Sequence, residues 1–206
     1  LETWKLYESV PESHDIREEL YQHMDVIGSK INSTKMVLPV DQHFNVKGVG
    51  LVAIGYVQSG TVSKHDEVLI LPANETGVVR SLQVMDDDVD SAVTGDRVGV
   101  ALRNLREEAL HRGCMIIHPE SQSLIRHDNS KIKMKNAPFQ KRQLANEDVI
   151  HAAVDLQFVV GRIKQVDGEI ISIEWESPLW IRAEGSPEIL ITQLDAMPMR
   201  IIGSME

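Results

Sequence analysis

The sequence predicts an all-β chain, with one short helix in front, a small closed barrel after it and a second set of strands behind the barrel. Three observations carry this. From Val37 onward, short β-branched runs recur every few residues with Gly, Asn and Asp between them, which is the spacing of strands and tight turns. Helical periodicity occurs once, ahead of that region. The 206 residues are 42% hydrophobic and 25% charged, the composition of a folded globular protein with chain enough for one large or two ordinary domains.

In chain order, residues 1–25 hold seven acids against two bases. Within them Ser13 is placed to cap a helix over residues 14–25, whose stripe Ile16, Leu20, Met24 and Ile27 follows the helical repeat. Gly28-Ser29 ends that helix and Asn32-Ser33-Thr34 reads as a linker. Five strand runs follow: 46–57, 60–62, 66–71, 78–84 and 97–102, with the glycines at 48, 50, 55 and 60 where strands bend or backbones approach. The stretch from Pro119 to Ser130 is polar and aperiodic and reads as a junction. Strands are then expected at 132–134, 149–161, 169–175, 180–183, 189–194 and 199–202, with a hairpin turning at residues 165–168.

Several chemistries can be tested against this pattern. The lone Cys114 allows no internal disulfide and no cysteine-rich zinc site, and fits a reducing compartment. No apolar run reaches the ~18 residues of a membrane helix and no export signal is visible, so a cytoplasmic protein with no membrane partner is expected. The glycines from Gly48 do not have a phosphate loop's spacing and lie between strands, so barrel glycines are expected there. Asp86, Asp88 and Asp90 match the first calcium positions of an EF-hand, but Ser91 replaces the turn glycine and Arg97 the bidentate glutamate, which leaves a solvated acidic turn and no metal site. The histidines show no paired metal spacing, and Cys114 opens an apolar strand as a buried, inert thiol. With no nucleophile motif either, no catalytic residue and no enzyme activity is expected from these residues.

The formal net charge of −10 argues against holding nucleic acid by bulk electrostatics, so any RNA contact must come from a local basic face. One such face exists. Between Ser130 and Asn146 stand Lys131, Lys133, Lys135, Lys141 and Arg142 with no acid among them, and a strand through residues 131–135 puts its three lysines on one side. Two readings stay open: RNA-phosphate contact, or an edge strand guarded by lysine against aggregation.

These strands carry a longer ordered pattern. It runs through Leu38-Pro39-Val40-Asp41-Gln42-His43-Phe44-Asn45-Val46-Lys47-Gly48, Gly50, Val52, Gly55, Val57, Gly60 and Val62, then Asp66, Val68, Leu71-Pro72 and residues 79–83. It closes with Ala92, Gly95-Asp96-Arg97-Val98-Gly99 and Arg112-Gly113-Cys114. The pattern resembles the second domain of translational GTPases of the elongation factor Tu family, and residues 189–203 resemble the close of the third. The nearest likeness is to selenocysteine-specific elongation factors and archaeal paralogues of elongation factor Tu.

The resemblance implies two consecutive β-barrels, at residues 37–120 and 128–206, with residues 1–36 as the remnant helix and linker of a preceding GTPase-like domain. It implies GTP and magnesium only through that domain, and no cofactor in these residues. Carried over residue by residue, the aminoacyl end of a tRNA would meet Asp41, Gln42, Phe44 and Arg97. A carboxylate can pair with the α-amino group, a phenyl ring can form a wall, and a guanidinium can hold a phosphate, carboxylate or selenolate. Arginine at 97 is the selenocysteine-factor residue, where elongation factor Tu proper has asparagine. On residue type alone, Asp41 is equally a turn acid, Phe44 a core ring and Arg97 a salt bridge to residues 86–90. The expected function is translation-factor-like binding of aminoacyl-tRNA or the ribosome without nucleotide chemistry; the alternative is a protein-interaction scaffold that has lost GTP and tRNA binding.

Overall fold

The computed structural model describes residues 12–27, 33–138, 140–185, 187–197 and 199–205. The expected helix end at Gly28-Ser29 and Asn32 of the linker lie outside the described residues. Helix α1 spans Ser13–Ile27 and belongs to one compact unit, the strands to another. Its first turn closes on the carbonyl of Glu12, which accepts from the Ile16 amide at 3.2 Å, so Ser13 lies inside the helix and not before it. Ile16 and Leu20 of the apolar stripe are exposed.

Nine strands build the first barrel: β1 Val37–Val46, β2 Gly50–Tyr56, β3 Thr61–Ser63, β4 Glu67–Leu71, β5 Glu75–Val84, β6 Asp87–Val89, β7 Ser91–Val93, β8 Arg97–Arg103 and β9 Met115–Ile117. Six of them close on themselves in the order β4-β9-β1-β2-β8-β5, with β5 pairing back to β4. β6 extends β5, and β3 pairs with β7 apart from the main sheet. The run expected as one strand at 46–57 is a hairpin, broken by Gly48 and Gly50 at φ +86° and +102°. The acidic segment is less of a turn than its composition suggests: Asp87–Val89 pairs with Leu82–Val84, and only Met85 and Asp86 turn, both at positive φ. Inward positions alternate cleanly along β2, and Leu38, Val40, Ala53, Ile70, Leu82, Val98, Val100 and Ile116 fill the interior.

The second barrel is β10 Leu124–Asn136, β11 Val149–Val154, β12 Gln157–Asp167, β13 Ile170–Arg182, β14 Ile189–Thr192 and β15 Ile201–Met205. Its closed order is β10-β13-β12-β11-β14-β15. β10 begins at Leu124, inside the stretch read as a polar junction; after Leu124 and Ile125 its early half carries only polar side chains, so strand and loop look alike there. The expected strand at 149–161 is two, turned at Asp155 and Leu156 with φ +45° and +64°. The two runs at 169–175 and 180–183 are instead one strand, carried through Pro178.

The barrels meet over a small apolar cluster: Val37, Leu71, Met115 and Ile117 of the first, with Leu124 and Trp180 of the second packed against them. Gln157 brackets Trp180, donating to its carbonyl at 2.6 Å and accepting from its amide at 3.0 Å. Beside it, the nearly buried Asp155 and Arg182 pair at 2.8 Å. Gly113, at φ +86°, brings its backbone so close that a methyl there would stand 2.7 Å from the Leu156 carbonyl oxygen.

Two stability predictions follow from this packing. Ile163 is fully buried in the second barrel, and Ile163→Ala should cost about 2–5 kcal/mol in chemical denaturation. Gly55 faces the Pro39 carbonyl with no room for a methyl, so Gly55→Ala should cost about 1–3 kcal/mol through forced backbone movement.

Candidate functional site: an outer groove on the first barrel

Residues directly opposite one another on paired strands point to the same face of a sheet. On the outside of the first barrel the registers align Phe44, Val52, Ala101 and Ser81 in one row, and Gln42, Ile54, Gly99, Gln83 and Asp88 in the next. These rows floor a groove of about 670 Å³, rimmed by Lys64, Met85, Asp86 and Arg97. The floor is mixed, with Val52, Ile54 and Ala101 beside Ser81, Gln83 and Asp88, and Gly99 leaves its middle open: a methyl there would meet nothing nearer than the Gln83 carbonyl oxygen at 4.0 Å. Neither its φ nor its neighbours require glycine.

The four residues proposed from resemblance separate here. Phe44 and Arg97 stand on the same groove, and Phe44 is 40% exposed, a wall and not a core ring. Gln42 shares the face, opposite Ile54. Asp41 does not line the groove: it lies in strand β1, at the bulge between Val40 and Gln42, and pairs with Arg112 Nε at 3.3 Å. The expected bridge from Arg97 to the acidic segment is absent among the described residues; Lys64 takes Asp90 instead, at 2.8 Å, and holds its carboxyl below the ordinary range. Asp88 accepts from Gln83 at 3.0 Å. Asp86 and Arg97 have no ion pair among the described residues, so the rim offers one free carboxylate and one free guanidinium. Asp86 and Asp88 were read only as an acidic turn, and Gln83 and Met85 were not singled out as site residues, although alternation along residues 78–84 places Gln83 outside; Met85, 90% exposed, is positioned by a turn with no Gly or Asn to announce it.

On the second barrel, Lys131, Lys133 and Lys135 all face outward. β10 pairs with β13 over residues 124–133 and with β15 only over residues 134–136, so the second side of the strand carries no ladder at Lys131 and Lys133 and the edge-strand explanation stays open for them. Lys133 pairs with Glu169 at 3.4 Å, and Arg142 is held by Asp195 at 3.0 Å and Asp148 at 3.7 Å. Lys131, Lys135 and Lys141 have no ion pair among the described residues. No cluster of metal ligands occurs among the described residues, and Gly48 and Gly50 form a β-turn between strands, a geometry that does not cradle a nucleotide phosphate.

Residues 50–117 match the family model of elongation factor Tu domain 2. A selenocysteine-specific elongation factor of Methanocaldococcus jannaschii is 36% identical over 72% of this chain and 32% of its own length. An uncharacterised protein of the same organism is 30% identical over 69% of this chain and 45% of its own. The solved structure of elongation factor SelB from Methanococcus maripaludis, without ligand, superposes over 93% of this chain and 46% of that one, with a TM-score of 0.76 and 26% identity. The two barrels belong to the translational GTPase family. The structure of a bacterial selenocysteine-specific elongation factor shares the fold at a TM-score of 0.78 and 21% identity. The chain thus spans 31% to 46% of the length of these relatives, and the match to the translational GTPases falls on their non-catalytic second and third domains.

Cys114 is fully buried beneath this framework, and burial pushes its thiol up to about 11. Because the raised value keeps the thiolate fraction very small at pH 8, Cys114 should resist a thiol reagent in the native protein and react promptly once denaturant is added. Mass spectrometry of the alkylated chain checks this.

Proposed function

We propose that the groove of the first barrel takes the aminoacyl end of a tRNA, and that the chain acts as a translation-factor-like RNA-binding protein without nucleotide chemistry of its own. The observation that carries this reading is the convergence of Phe44 and an unpaired Arg97 on one open groove with an apolar patch of Val52, Ile54 and Ala101, within an elongation factor Tu domain 2 match. An aminoacylated end is amphoteric. Its ammonium suits the free carboxylate of Asp86, its phosphates or an anionic side chain suit Arg97, and its apolar part suits the patch of Val52, Ile54 and Ala101. GTP and magnesium would enter through a GTPase-like domain N-terminal to these barrels, and the ribosome is the larger partner in keeping with the relatives' names. The cytoplasm is the compartment in which such partners occur.

One observation favours a protein-interaction scaffold instead. On the outer face of the second barrel, Phe158, Ala153 and Leu190 align in one row and Val160, His151, Thr192 and Ile201 in the next, with no charged side chain between them. An apolar sheet face of this kind suits a protein partner.

Fluorescence titration of the chain with aminoacylated and deacylated tRNA separates the two. Aminoacylated tRNA should bind more tightly, Arg97→Ala should lower its affinity by about 10- to 100-fold, as expected for losing a hydrogen bond to a charged group, and Gly99→Val should weaken binding without lowering thermal stability. Undetectable binding at low salt, or affinity indifferent to both substitutions, removes the tRNA reading and leaves the scaffold.

A further inference from the structure

A dent of about 290 Å³ lies on the outer face of the second barrel where β10, β12 and β13 run side by side, lined by Asn129, Ser130, Lys131, Lys164, Ser172 and Ile173. Its polar lining consists of donors. Lys131 has no ion pair among the described residues, and Ser172 stands directly opposite it across the β10–β13 ladder. Ser130 Oγ accepts from Trp175 Nε1 at 2.8 Å on the inward side of the strand, so Ser130 is committed to the core beneath the dent. The irregularity between Ile163 and Gln165 leaves Lys164 and Gln165 both exposed on β12. Lys164 is held on one side by Glu174 at 2.9 Å, which raises the ammonium's pKa, and an ammonium has donors left for a second acceptor. No carboxylate lines the dent, and the one apolar residue, Ile173, is buried.

We propose that this dent is a docking site for one phosphate of an RNA backbone, held jointly by Lys131 and Lys164 and capped by the hydroxyl of Ser172. The proposal rests on the RNA-binding reading above and places the backbone on the second barrel. Compact ammonium groups and a hydroxyl around a small concavity suit a tetrahedral oxyanion with several acceptor atoms, whereas a planar carboxylate is matched by the fork of an arginine. The row continues from the dent: Lys133 and Lys135 stand outward at steps of about 7 Å along β10. An extended nucleotide chain places its phosphates on that scale. Lys164, sixteen or more residues beyond the basic island, belongs to the site only through the sheet.

Joint grip on a single phosphate has a signature that scattered surface lysines lack. With an RNA hairpin that carries no aminoacyl end, titrated by fluorescence anisotropy at several salt concentrations, Lys131→Gln and Lys164→Gln should each flatten the slope of log affinity against log salt by about 0.7–0.9, the value for one phosphate. The double variant should flatten it no further. Unchanged slopes in the single variants, or a double variant that loses twice as much, overturn the proposal, as does failure of the hairpin to bind at low salt. Inorganic phosphate followed by NMR of the Asn129 and Ser172 amides should bind only in the millimolar range; saturation at micromolar phosphate would assign the dent to a free anion and overturn the RNA assignment. Because the hairpin lacks an aminoacyl end, the groove and the dent fail separately. No preference for charged tRNA with the slope effect kept removes only the groove, and the preference kept with no slope effect removes only the dent.

Discussion

Closure of each sheet upon itself is the constraint on which the other features depend. A closed barrel has no edges to pair with, and an interior just wide enough for side chains to fill. Once the inward positions are taken by Leu38, Val40, Ile70, Val98 and Val100 in one barrel and Ile150, Ile163, Ile173 and Ile191 in the other, side chains available for recognition stand on the outer face or in the connecting turns. Alternation then sorts neighbours strictly. Phe44, facing out, shares a row with Val52, Ala101 and Ser81, while Asp41, three residues away and across a bulge, is committed to Arg112. A groove and a dent therefore arise from strand register and not from loops, and their lining side chains are held by ladders that cannot slip without exposing the core.

The seam between the barrels follows the same logic. Its centre is apolar but small, and the bare backbone of Gly113 against the Leu156 carbonyl is the close approach across it, while Gln157 bracketing the Trp180 backbone and Asp155 against Arg182 brace the second barrel's own side. The Asp155–Arg182 pair is nearly buried, and a buried pair adds little net stability while making loss of either partner costly. Both partners belong to the second barrel, so the pair fixes the turn between β11 and β12 against the end of β13.

Strand content and the barrel around Val37–Ile117 were legible because β-branched runs and turn residues alternate there without ambiguity. The exact hairpin turns at Met85-Asp86 and Asp155-Leu156 were not, since Met85 and Leu156 are residue types that disfavour the positive φ they adopt. The early half of β10 hid for a related reason: its outward and inward positions are both polar or half-buried, so no period appears. At the groove, Phe44 and Arg97 could be found in the sequence by resemblance, and Lys164 could not, because it lies across two ladders from Lys131. Register is a tertiary fact, and a linear charge island reports only the part of a basic site that one strand contributes.

The net charge of −10 remains the strongest argument against an RNA ligand, and its force depends on distance. At physiological ionic strength the Debye length is about 8 Å, so acids spread over the rest of the surface act weakly on a phosphate seated at β10. What such a phosphate meets is its own contacts, and there the accounting is local: Lys131, Lys135 and Lys141 are unpaired among the described residues, while Glu169 and Glu174 are each already taken by a lysine. Unscreened repulsion acts chiefly on approach, lowering the rate at which a polyanion finds the protein, because long-range fields steer encounter more than they set the contact energy. An acidic chain can thus hold RNA through a few well-placed donors, but it gives up the fast electrostatic capture that a basic protein enjoys. Selection among ligands then falls, on the proposed reading, on the groove, where a free carboxylate and a free guanidinium flank the patch of Val52, Ile54 and Ala101 and bulk charge has little influence.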